Sequence, residues 1–151
     1  MLSLLVSLLM ILSPAAPKGP ALRFINPPGL AKSPRYSHVA EVTRGKLIFI
    51  AGQVSQDVNG NPVGAGDMKA QAKQVLENLG AALAGAGATE KDIVMVTSYV
   101  VDLPKNIDTY REVRQELWRS LSVPPPGTTV GVTSLVRPEY LLEVDAIAVV
   151  P

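Results

Sequence analysis

From residue 35 onward the chain switches between two hydrophobic periods. Residues 36–43 and 47–51 read as extended, the second as the uninterrupted apolar run LIFIA. Arg44-Gly45-Lys46 between them is a turn that would let the two pair antiparallel. Asp57-Val58-Asn59-Gly60-Asn61-Pro62 is a dense turn signal. Apolar positions then recur every three or four residues, at Met68, Ala72, Val75, Leu76, Leu79, Leu83 and Ala86. This predicts a helix with Asp67 as N-cap and Gly85 and Gly87 at its end. After the capping-type turn Thr89-Glu90-Lys91-Asp92, the β-branched run at 93–101 predicts a central strand. A second amphipathic helix is expected over 107–121, ended by Pro124, with Arg111 and Arg114 on or beside its apolar stripe.

The last stretch, 124–150, reads as a hairpin: strand 128–136, a break at Arg137-Pro138-Glu139, and strand 140–150. Its second strand is apolar on both faces except for Glu143 and Asp145, which share one face at a period of two. A carboxylate in such a covered strand needs a cation, a hydrogen-bond donor or a proton. Glu143, more closely flanked by apolar residues, is therefore a candidate site residue. The alternative is that the two acids form ion pairs across a subunit interface. The order strand, strand, helix, strand, helix, strand, strand predicts an α+β sheet with its helices on one side.

The N-terminus follows a different pattern. Residues 1–16 form an apolar run that is short for a membrane span and ends at Pro14. It fits three readings: a signal peptide, which would export the chain; an uncleaved anchor, the one route to a membrane; or a start codon chosen too far upstream, which would leave the protein cytoplasmic. Residues 17–33 read as an irregular lead-in. The expected division is a leader or non-native extension at 1–22 and one domain at 23–151.

Composition narrows the chemistry. A length of 151 residues suits one domain. A 47% hydrophobic content and mean hydropathy of +0.23 suggest surface buried against other subunits. A net charge of +1 supplies no basic field for nucleic acid. Zero Cys and one His exclude disulfides, thiolate chemistry and His-rich metal clusters, so no metal or cofactor is expected. His38 and Ser37 are neighbours on an expected strand and point to opposite faces, which rules out a base-nucleophile pair between them. The 57–61 turn lacks the acidic twelfth ligand of a calcium loop, since residue 68 is Met. Trp118 reads as core or interface.

Taken together, INPPGLAKSPRYSHVAEV, LIFIAGQV, the TEKDIV-to-YVVDL strand, YREVRQELW and TTVGVTSLVRPEYLLEVDAIAVV resemble the Rid proteins. This family, also called YjgF or RidA-like, contains reactive-intermediate imine deaminases. The resemblance covers about residues 23–151. It implies a chorismate-mutase-like α+β protomer, with a mixed sheet and two helices packed on one face, assembled into a homotrimer with a small-molecule cleft between subunits. It also implies a site made of Tyr36, the strand end Ala51-Gly52-Gln53 (S-G-Q in the deaminases), Arg111 in place of a helix asparagine, Gly127 in the loop before the TTVGV strand with Thr128 at its start, and Glu143 as the group that positions or activates water. One departure matters. The deaminases carry an arginine that grips the substrate carboxylate where this chain has Gly127. Arg137 is too far along the same strand to replace it, which leaves Arg111, from the helix, and Arg35 as candidates to supply the charge. Three functions follow: hydrolysis of small imines or enamines, non-catalytic ligand binding by a trimer, or an endoribonuclease, which the near-neutral charge disfavours.

Overall fold

The computed structural model describes residues 21–151; the reading of residues 1–20 as leader, anchor or mis-assigned start falls outside the described residues. The elements are β1 (Leu22–Ile25), β2 (Val39–Val42), β3 (Lys46–Val54), α1 (Met68–Gly85), a 3-10 turn (Glu90–Asp92), β4 (Ile93–Val101), α2 (Leu103–Leu117), β5 (Gly127–Val132) and β6 (Leu142–Val150).

Four strands form the main sheet in the order β3-β6-β4-β5, with β6 antiparallel to both neighbours and β5 parallel to β4. This corrects the expected C-terminal hairpin: β5 and β6 are not paired, and residues 133–141 instead carry the chain past the end of β4, where Val101 N donates to Leu141 O at 2.9 Å. The physical reason lies in the two sequences. β6, LEVDAIAVV, is half-buried or buried along its whole length and gains most from partners on both edges. GTTVGV, with two glycines and exposed positions, loses little at the sheet margin. β4, as predicted, is an interior strand.

A second correction concerns the first strands. β2 does not pair with β3 but with β1, a strand inside the stretch read as an irregular lead-in. Arg23 and Glu41 face each other in this ribbon and join at 2.7 Å. The ribbon is tied to the domain by Ser37, buried, whose hydroxyl donates to Pro124 O at 2.8 Å. His38 is structural here, with Nε2 2.8 Å from Ala31 O and its ring edge-on to Tyr36.

α1 begins where Asp67 accepts from Lys69 N at 2.9 Å and Ala70 N at 3.2 Å, and it ends before Gly87, whose φ of 75° suits glycine. Thr89 and Asp92 form a reciprocal cap before β4. α2 starts four residues before the predicted 107 because Pro104 sits in its first turn, where its missing N–H costs no helix bond, and it ends at Leu117 rather than 121. Both helices lie on one sheet face. Leu79, Leu83, Val96, Val100, Leu142, Val144 and Ala146 fill the core between them, and each fully buried aliphatic side chain contributes about 1.5–3 kcal/mol. Gln71, fully buried, ties two chain segments to α1: it donates to Gly64 O and Glu139 O and accepts from Leu141 N.

The opposite face is uncovered. Phe49 is 74% exposed and Leu47 52%, on a strand whose other side chains, Ile48 and Ile50, pack on the core.

Candidate active site

The alternation of the sheet sorts the expected site residues onto two faces. On the helix side, an open cavity of about 690 Å³ lies between the chain at Pro34–Tyr36, the second half of α2 and the beginning of β5. It brings together Tyr36, Arg111 and Gly127 from the expected set. Gly127 faces the core here, since a Cβ on it would stand 2.9 Å from Val96 Cγ1. Thr129, two residues on, lines the same cavity, whereas Thr128 points to the other face and is exposed.

On the open face, Glu143 is half-buried and sits opposite Val54 of β3 and Tyr99 of β4. The β3-β6 register shifts between Ile50 and Gln53, a bulge that turns Ala51-Gly52 out of the ladder. A Cβ on Gly52 would fall on the Glu143 carboxylate, so glycine lets that carboxylate lie against the strand backbone. Gln53 folds back, its Nε2 donating to Ala51 O at 3.0 Å. Glu143, Gly52 and the bulge thus form a second cluster, and the cavity of the first does not include it. Asp145 lies one pleat along from Glu143 and hydrogen bonds the Tyr99 phenol. The charge of Asp145, first, and then its hydrogen bond, burial and Glu143 hold the Tyr99 hydroxyl above its usual range, so it stays a neutral donor.

Sequence reasoning missed part of the cavity wall. Arg114, Trp118 and Arg119 join Arg111, and the spacing 111, 114, 115, 118 of one helix face was the available signal. The guanidinium of Arg114 stands 5.5 Å from the Tyr110 ring centroid and 5.8 Å from that of Trp118. Tyr110 is itself fixed by a 2.7 Å hydrogen bond to Ser98, both buried. Arg137, paired with Glu139 at 3.3 Å, is not among the residues lining the cavity. Among the described residues no cluster of three His, Asp or Glu side chains is arranged to hold a metal ion.

The sequence profile of the family described as endoribonuclease L-PSP matches residues 29–150. The chain belongs to this family, the Rid family. It is 36% identical to the solved Rid-family protein YyfB of Yersinia pestis, with a TM-score of 0.79 over 86% of this chain and 99% of that one. The RutC family protein YjgH of Escherichia coli is 36% identical over 78% of this chain and 84% of its own length. A protein of Dermatophagoides farinae named 2-iminobutanoate/2-iminopropanoate deaminase is 27% identical over 85% of this chain and 96% of its own. The Rid fold thus agrees with the α+β sheet and one-sided helices described above.

Proposed function

We propose that the protein is a homotrimer that hydrolyses small reactive imines or enamines in a cleft completed between subunits, with Glu143 as the water-activating carboxylate. The observation that carries this reading is the contact of the Glu143 carboxylate with a side-chain-free Gly52 at a strand bulge. There the carboxylate lies against backbone on an open face, with no cation paired to it among the described residues. The name of the mite relative points the same way. Because the helix-side cavity and the Glu143 cluster of one chain occupy opposite sheet faces, a neighbouring subunit is the natural means of bringing one to the other. The exposed Leu47 and Phe49 supply apolar surface for such an assembly.

In this mechanism the carboxylate takes a proton from water as the water oxygen bonds to the imine carbon. It returns the proton to nitrogen, and the carbinolamine collapses to a carbonyl with release of ammonia. Gly127 favours a second reading, a trimer that binds a ligand without turning it over, because the position offers no side chain to hold a substrate carboxylate. The endoribonuclease reading, suggested by the family's description, is disfavoured by the net charge of +1.

The decisive experiment is Glu143→Gln assayed against freshly generated 2-imino acids, with mass measured by light scattering. The hydrolase reading expects a folded trimer with turnover lowered about 10²-fold or more. No turnover in the parent would leave the binding trimer, unchanged turnover in the variant would remove Glu143 as the base, and a mass of one chain would remove the shared cleft.

A further inference from the structure

The wall of the helix-side cavity is unusual in what it gathers. Four of the chain's seven arginines line it, at positions 35, 111, 114 and 119, with no aspartate, glutamate or lysine among the lining residues. Three of the seven aromatic side chains, Tyr36, Tyr110 and Trp118, line it as well. Arg111 has an exposed partner, Asp108, at 3.2 Å; Arg35, Arg114 and Arg119 have no carboxylate in ion-pairing range among the described residues. Like charges converging on one concavity repel each other, and an anion there would relieve the repulsion. Arg114 is held between two rings, which presents its planar fork in a fixed orientation. The volume is that of a pocket for a ring-sized ligand, and Gly127 in its wall brings no side chain into it.

We infer that this cavity selects a small carboxylate that bears an aromatic ring, with the anion held by Arg114 and Arg119 and the ring against Trp118 and Tyr36. The guanidinium function thus comes from α2 rather than from residue 127. This rests on the cavity being the ligand side of the cleft proposed above, and it names the substrate class of that cleft.

Trp118 is the single tryptophan, so its fluorescence reports occupancy directly. The full chain is titrated with phenylacetate, with acetate and with neutral phenylacetamide. Phenylacetate is expected to bind at least about tenfold more tightly than either, as a charge-assisted fork plus ring contact requires. Its affinity should fall with added salt and by about tenfold or more in both Arg119→Gln, a surface change that leaves the core alone, and Arg114→Lys, which keeps the charge and loses the planar fork. A smaller preference over acetate or over phenylacetamide, or binding unaltered in both variants, overturns the inference. Binding is read without turnover, so a selective cavity in a chain that hydrolyses no imine would defeat only the hydrolase reading. Imine turnover with no aromatic preference would defeat only this one.

Discussion

The two faces of the main sheet use the same strands for opposite purposes. On the helix side, Val96, Ser98 and Val100 of β4 and Leu142, Val144 and Ala146 of β6 are sealed under α1 and α2, and the one polar side chain among them, Ser98, is hydrogen bonded to Tyr110. On the open side the intervening residues are Thr97, Tyr99, Glu143 and Asp145, half-buried and polar, beside the bare Leu47 and Phe49 of β3. The covered face determines whether the domain folds. The open face carries groups that a folded monomer does not need, and it can be changed with little effect on folding. Substitutions on the two faces should therefore separate stability from assembly and activity.

The largest difference is expected between Leu79→Ala and Phe49→Ala. Leu79 is 1% exposed within the core, so its truncation should cost about 2–5 kcal/mol through lost transfer energy and the cavity left behind. Phe49, 74% exposed in the single chain, should cost the protomer little while weakening the proposed trimer. Denaturant melts of each variant, run across a protein concentration series, read the two effects apart. A Phe49→Ala melt that matches the parent's at every concentration would mean that the open face is not a subunit contact.

Gly52→Ala comes next. The added Cβ meets the Glu143 carboxylate, so the carboxylate must swing away or the bulge must shift. Turnover should fall about as far as in Glu143→Gln, roughly 10²-fold, while the melting temperature falls by the modest amount typical of a strained contact at a half-buried site. Activity and fold lost together would place Gly52 in the framework of the sheet instead.

Gly127→Arg tests the helix side. Its Cβ would lie 2.9 Å from Val96 Cγ1, and Val96 is β-branched and 1% exposed, so it cannot rotate freely out of the way. Overpacking of this kind costs about 1–3 kcal/mol. The Gly127→Arg/Val96→Ala double variant should recover part of that loss and, if the rest of the site is intact, gain activity towards aliphatic 2-imino acids. Additive losses in the double variant, measured by thermal unfolding, would show that the two positions are not coupled.

Much of this architecture was legible in the chain because it rests on local periodicity. The Asp67 cap, the α1 stripe and the interior position of β4 all follow from residues near one another in sequence. Strand partners do not. GTTVGV and LEVDAIAVV are separated by a short turn-rich link, which suggests a hairpin, yet β6, mostly apolar on both faces, takes the interior place between β3 and β4. The LRFI ribbon was hidden by the prolines and glycines that follow it. The site divides similarly: Glu143 stands out as an acid in an apolar strand, while the cavity arginines come from Arg35 and from α2, elements far apart in sequence, and only the fold joins them.

The smallest effect concerns the acidic row on the open face. Asp145, first, and Glu143 raise the Tyr99 phenol above its ordinary value. A group whose folded value is raised binds its proton more tightly in the native state, so its contribution is complete below the unfolded tyrosine value and is lost as pH rises through the folded one. The dependence therefore belongs to alkaline pH, above about 10, and stability near neutrality should not register it. Tyr99 faces solvent in the single chain, so the expected signature is spectroscopic. A tyrosinate absorbance titration should show one phenol ionising later than an unperturbed tyrosine, and Asp145→Asn should move that step to lower pH while leaving the fold unchanged. A step that does not move in Asp145→Asn would mean that Asp145 does not govern Tyr99, and the polar row would then owe its order to backbone pairing alone.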